Sequence, residues 1–251
     1  MSKTSANTRI CGSDAESITL RGKDLVDEVI GEYGFTQAFL LQSLGIEATP
    51  QQIALVEAVM VTIMEHGLTP SAVATRMSYL GAPDSFQGAI AAGLLAVGDR
   101  YAGTAGLCGA LAEQIIAAED RDAKAAELVA EHRAARRPIP GFGHPIHTDR
   151  DPRVAKLIAM LDPEGDALQA MLTLERALSA NLGRELVMNV SSTLAALLLE
   201  AGVPAKMMRG VILVARCAGL VGHVVEEMEN PAAQEMWQAA EASAEYLDPG
   251  A

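Results

Sequence analysis

The sequence predicts an all-α protein, and three observations predict it. Half of the 251 residues are hydrophobic but only 4% are aromatic, so the apolar mass is mainly Ala, Leu, Val and Met. Ala and Leu favour helices, and small side chains let helices approach closely. Apolar residues also recur at helical spacing between Gly and Pro punctuation, as in Ile53, Val56, Val59, Met60 and Ile63. One long stretch resists helix: in 137–153, Pro138, Pro140, Pro145 and Pro152 remove backbone donors, while Gly141 and Gly143 permit unusual backbone angles.

Taken in order, residues 1–20 read as irregular and mobile, and 24–31 and 35–44 as two helices joined at Gly34. Thr49-Pro50-Gln51-Gln52 starts a helix, with Thr49 as N-cap and Pro50 at its first position, that runs to Glu65-His66-Gly67. Thr69-Pro70 starts the next, which Gly81–Asp84 breaks. Stretches 86–97 and 107–118 follow, with small-residue faces that suggest close neighbours. Stretch 119–137 is a charged amphipathic helix in which His132 reads as surface. After the Pro-rich loop come 154–161, 166–182 and the strongly apolar 187–201. Stretch 206–228 is apolar nearly all round, so it predicts burial in a core or against a second subunit. The acidic end, 229–251, reads as a helix anchored by Trp237 and Tyr246.

A net charge of −13 disfavours nucleic acid and anionic membranes as partners. Cys11, Cys108 and Cys217 are odd in number and lack a CxxC pair, which suggests reduced thiols and a cytoplasmic setting. The polar N-terminus shows no signal peptide. Arg209 and Arg216 interrupt the nearest approach to a membrane span, 207–228. No phosphate-loop motif appears.

Several groups could carry chemistry. Loop 137–153 holds His144, His147, Asp149, Asp151, Arg150 and Arg153, and a long loop so loaded between strong helices is usually functional. His144 and His147 could pair on a metal, but Pro145 opposes helical spacing and no third ligand stands out, so no metal is expected. His66, before Gly67, occupies a helix end where the dipole favours a cation. His223 reads as a satisfied core residue. Arg216 is always charged in an apolar helix, so it needs an anionic partner from the protein or a ligand.

Pro138-Ile139-Pro140-Gly141-Phe142-Gly143-His144, followed by Asp151-Pro152-Arg153, resembles the signature loop of the citrate synthase superfamily. Glu65–Ser71, Asn189-Val190 and Ala215–Glu226 resemble three further family segments in the same order, and the likeness covers about residues 20–230. The short length and Gly98-Asp99-Arg100-Tyr101-Ala102-Gly103 resemble short citryl-CoA lyases and the citryl-CoA-cleaving module of ATP-citrate lyase.

The small-residue faces and all-round apolarity suggest a homodimer with its interface near 86–118 and 206–228, and the resemblance implies a citrate synthase-like multi-helical fold that is itself dimeric. It implies a large helical domain in two parts, 21–118 and 183–251, around a small helical domain at 119–182. It implies that His144 exchanges a proton with the substrate's oxygen, that His66, Arg153 and Arg216 hold carboxylates, and that Ile139, Pro140, Gly141, Phe142 and Gly143 receive CoA. Two positions depart from the pattern. Ser191 stands where the family has its catalytic aspartate, and a hydroxyl is a poor base. Tyr101 stands where citrate synthase has its first catalytic histidine, and a phenol ordinarily titrates too high for easy proton abstraction.

Two functions follow as expectations. One is a CoA-thioester carbon–carbon lyase that cleaves citryl-CoA, or a related 3-hydroxyacyl-CoA, to acetyl-CoA and oxaloacetate. It needs no covalently bound cofactor, since coenzyme A is part of substrate and product. The other is a catalytically impaired relative that binds a CoA ester or a di- or tricarboxylate as a sensor or partner subunit.

Overall fold

A computed structural model describes residues 6–98, 103–143 and 151–249. Its described part is built almost wholly from helices, as the composition requires. The exception is at the start. Cys11–Ser13 (β1), Ile18–Leu20 (β2) and Lys23–Asp24 (β3) form a small antiparallel sheet, where irregular chain was expected. The Asp14 carboxylate turns the first hairpin by accepting the N–H groups of Glu16 and Ser17. Strands of two or three residues are too short for period-two patterning to show in the sequence. The helix expected at 24–31 is a single wide π-type turn, Leu25–Val29, capped by Asp24.

The long helices follow their sequence signals. They are α1 (Phe35–Leu44), α2 (Pro50–Met64), α3 (Pro70–Gly81), α4 (Phe86–Leu95), α5 (Thr104–Ile116) and α6 (Arg121–Ala134). After the Pro-rich loop come α7 (Pro152–Ile158), α8 (Asp166–Leu182), α9 (Val190–Glu200), α10 (Ala205–Glu229) and α11 (Ala233–Ser243). At α2, Thr49 and Gln52 form a reciprocal capping box with Pro50 at the first helical position.

One continuous core joins α2, α5, α8, α9 and α10 through Leu55, Ile115, Leu174, Leu197 and Met208. By length and composition α10 could cross a membrane, yet here it packs against α2, α3, α4 and α5. Within the single chain its core face is buried, while Val221, Val225 and Met228 are exposed. The anchors expected for the C-terminal helix also fail. Trp237 is 49% exposed and Tyr246, beyond α11, is 83% exposed. What holds α11 is buried Glu227, whose carboxylate accepts the N–H groups of Ala232 and Ala233.

Gly219 fixes how α10 meets α2. A Cβ there would overlap the carbonyl of Met64, the last residue of α2. Gly219→Ala is therefore expected to destabilise the fold by about 1–3 kcal/mol through overpacking. A denaturant midpoint equal to wild type would show that the two helices can separate freely here.

Candidate functional site

Two crossings build the site. In the first, Gly141–Gly143 runs antiparallel to 187–189. Gly143 N–H donates to Val187 O at 2.9 Å, Asn189 N–H to Gly141 O at 2.9 Å, and the Asn189 side chain to Gly143 O at 3.0 Å. Both glycines have positive φ, 89° and 73°. A Cβ on Gly141 would meet Cys108 Sγ at 2.5 Å and Ser192 Cβ at 2.9 Å. Glycine is thus required twice over, by backbone angle and by space. The strand-like segment is pinned against the first turn of α9, and it leads directly to His144. His144, His147 and Tyr101 lie outside the described residues, so their expected roles rest on the sequence.

In the second crossing, α10 passes the gap between α2 and α3. Arg216, only 4% exposed, donates to the carbonyls of Ile63 and Met64 and to the hydroxyls of Thr69 and Ser71. The anionic partner expected for it does not hydrogen-bond it among the described residues. Its acceptors among the described residues are all neutral, so its donors are met there without a hydrogen-bonded counter-charge. Burial works against its positive charge, and Glu65 favours it. Arg153, at the start of α7, is held by Asp151, which accepts from Nε at 3.1 Å and from Nη2 at 2.7 Å. Buried Asp151 also caps α7 by accepting Arg153 N–H.

His66 joins these two arginines. Its pKa lies below the ordinary histidine value: the residue is exposed, but partial desolvation by its neighbours disfavours the cation first, with Arg216 and then Arg153 adding repulsion; Glu65 opposes them. The helix-end argument predicted the opposite bias. The correction is physical: α2 stops at Met64, so His66 lies past a dipole that fades within a turn, and desolvation, followed by the two guanidinium charges, sets the direction. The folded pKa is lower than the unfolded one, so this group's contribution is complete above about pH 6.5. It is lost as pH falls from there toward the folded value. His66→Gln is therefore expected to flatten the stability profile just below pH 6.5. Parallel wild-type and variant curves across that window would show that the histidine does not feel the arginines.

A cavity of about 360 Å³ lies beside the first crossing. Ile139 and Phe142 give it an apolar wall, and Arg133, Arg137 and Arg184 bring positive charge. His132, expected on the surface, lines it half-buried, and its Nδ1 has no partner among the described residues. Ser191 sits in the first turn of α9, where its hydroxyl pairs with that of Thr104 at 2.8 Å.

Sequence reasoning missed Arg76. It is 3% exposed and donates to Glu227, Glu226 and His223 Nδ1. His223 is thus satisfied on that side; its Nε2 is 3.0 Å from Glu65, off the direction of a hydrogen bond. The mixed pattern of α3 gave no local sign that this arginine points inward. Among the described residues, no group of three or more His, Cys, Asp or Glu could hold a metal.

Comparison with known proteins points one way. The model of the family described as citrate synthase, C-terminal domain, matches residues 7–237. The structure of citryl-CoA lyase from Hydrogenobacter thermophilus superposes with a TM-score of 0.86 at 28% identity, over 97% of this chain and 94% of that one. ATP citrate lyase from Methanothrix soehngenii, in complex with citrate and coenzyme A, gives 0.77 at 21% identity. That match covers 99% of this chain but 42% of the other. Citrate synthase from Thermotoga maritima gives 0.62 at 22%, over 85% and 57%. The last two identities speak for the fold alone. A comparison with curated proteins returned no match.

Proposed function

Because this chain belongs to the citrate synthase family, we propose that it cleaves a carbon–carbon bond in a CoA thioester of a hydroxylated carboxylic acid, with citryl-CoA as the first candidate. The observation that carries this reading is that buried Arg216, held by neutral oxygens, and Arg153 both lie within electrostatic reach of His66. The three groups come from separate parts of the chain, and of the two arginines Arg153 is paired with a buried carboxylate, Asp151. Arg216 and Arg153 would hold the carboxylates, and His66 would stand between them. The cavity walled by Ile139 and Phe142 would take the adenine end of CoA, with Arg137 and Arg184 toward its phosphates. The similarity to citryl-CoA lyase over nearly the full length of both chains supports the same reaction.

In this reading His144 takes the proton of the tertiary hydroxyl. The oxygen's electrons close a ketone as the carbon–carbon bond breaks, and the bond's electron pair enters the thioester as an enolate. Solvent supplies the proton that completes the acetyl methyl group, and the imidazolium returns its own proton to solvent. No carboxylate is needed to leave the atoms balanced.

The lack of a carboxylate at Ser191 supports a second reading, a relative that binds CoA esters or di- and tricarboxylates without turnover. One experiment separates the two: purified protein is titrated with citryl-CoA by calorimetry, and the mixture is analysed by mass spectrometry. Acetyl-CoA and oxaloacetate support the lyase. Binding with intact citryl-CoA supports the sensor and overturns the lyase.

We also assign 119–182 to a small domain, a cytoplasmic setting from the unpaired cysteines, and a homodimer. The dimer rests on exposed Val221, Val225 and Met228 of α10, with Leu95 at the end of α4 and Leu107 of α5. Light scattering should give twice 26.3 kDa, and a monomer at micromolar concentration would refute the dimer.

A further inference from the structure

Thr104 is the first residue of α5 and Ser191 the second of α9, 87 residues apart in sequence. The two helices begin at the same place, and the hydroxyls meet at 2.8 Å. Their neighbours are used differently. Ser192 donates to Gly141 O at 2.6 Å and Thr193 to Asn189 O at 2.9 Å, so backbone carbonyls consume both. Among the described residues, Thr104 and Ser191 find no acceptor except each other. Each hydroxyl has one proton and two lone pairs. One proton lies between the two oxygens, and the other has no acceptor among the described residues, so it is available to a ligand. Both side chains are half-buried, and the α9 turn that carries Ser191 also packs on Gly141, two residues before the end of the segment leading to His144.

We propose that Thr104 and Ser191 act as one neutral hydrogen-bond donor to the thioester oxygen of the bound acyl-CoA as that oxygen becomes an enolate. This rests on the lyase reading above. As the carbon–carbon bond breaks, its electron pair moves toward the thioester and negative charge gathers on that oxygen. The second O–H meets the charge without transferring its proton, so no covalent bond to the protein forms and the pair ends as it began. Thr104 bonded to Ser191 fixes which way the free proton points. The first turns of α5 and α9 add partial positive charge at the same place.

The test is turnover of citryl-CoA by wild type, Thr104→Val, Thr104→Ser and Ser191→Ala, with products measured by mass spectrometry and folding checked by thermal melting. Loss of one preorganised donor to a developing oxyanion lowers kcat about 10²- to 10³-fold. Thr104→Val and Ser191→Ala should fall at the lower end of that range with KM changed less than about threefold, because the donor acts mainly in the transition state. Thr104→Ser keeps the hydroxyl and should retain most of the rate. If Thr104→Val does not fold, Ser191→Ala decides the matter. Variants that cleave citryl-CoA as fast as wild type, or that lose only KM, overturn the donor role alone. Wild-type protein that binds citryl-CoA without cleaving it overturns the lyase reading and the donor role with it.

Discussion

Arg76→Met is expected to destabilise the protein by about 3–5 kcal/mol at neutral pH, the range for breaking a buried ion pair by removing one partner. For a chain of this length that is a fall in Tm of roughly 10 °C. The reason is Glu227. It is 5% exposed and accepts Arg76 Nη1 at 2.6 Å, Ala232 N–H at 2.9 Å and Ala233 N–H at 2.7 Å. Burial pushes its pKa up, but the bonds from Ala233, Arg76 and Ala232 outweigh burial and hold it below the ordinary value. Without the guanidinium, a carboxylate stays buried with only two backbone donors. Its folded pKa then rises, so the destabilisation should be largest near pH 7 and shrink as acid neutralises the group. Melting wild type and variant across pH checks this. A loss below about 1 kcal/mol, or one that grows on acidification, would show that the pair does not hold α3 and α11 to α10.

His144→Ala should lower turnover of citryl-CoA by about 10²- to 10⁴-fold, the range for removing a positioned general base. Binding should persist, since the carboxylates and the CoA are assigned to other groups. The residue before it, Gly143, is anchored on both its N–H and its carbonyl, so the chain enters position 144 from a fixed point. Calorimetry beside the turnover assay separates the outcomes. Retained turnover removes His144 from the mechanism. Lost binding with lost turnover makes it a ligand-holding group instead.

The helices were legible in the sequence because their signals are local. Thr49-Pro50 and Thr69-Pro70 mark starts within a few residues, and the 166–182 helix was placed to the residue. The loop 139–143 and the arginines stood out in the sequence because their residue types are distinctive where they stand. The miss at the C-terminus shows the opposite case. Trp237 and Tyr246 looked like anchors by composition, but whether a large side chain finds a pocket depends on elements far along the chain.

The sequence by itself determined the all-α class, the order of the helices, the glycines that the loop cannot do without, and the family. The tertiary structure alone decided that Arg76 turns inward to Glu227, that Arg216 is held by neutral oxygens, that His66 is biased toward its neutral form, and that Thr104 meets Ser191. Each of these is a contact or field between residues tens of positions apart or more. Periodicity and capping report only the few residues within a turn, whereas charge and hydrogen bonding act across whatever space the packed helices leave.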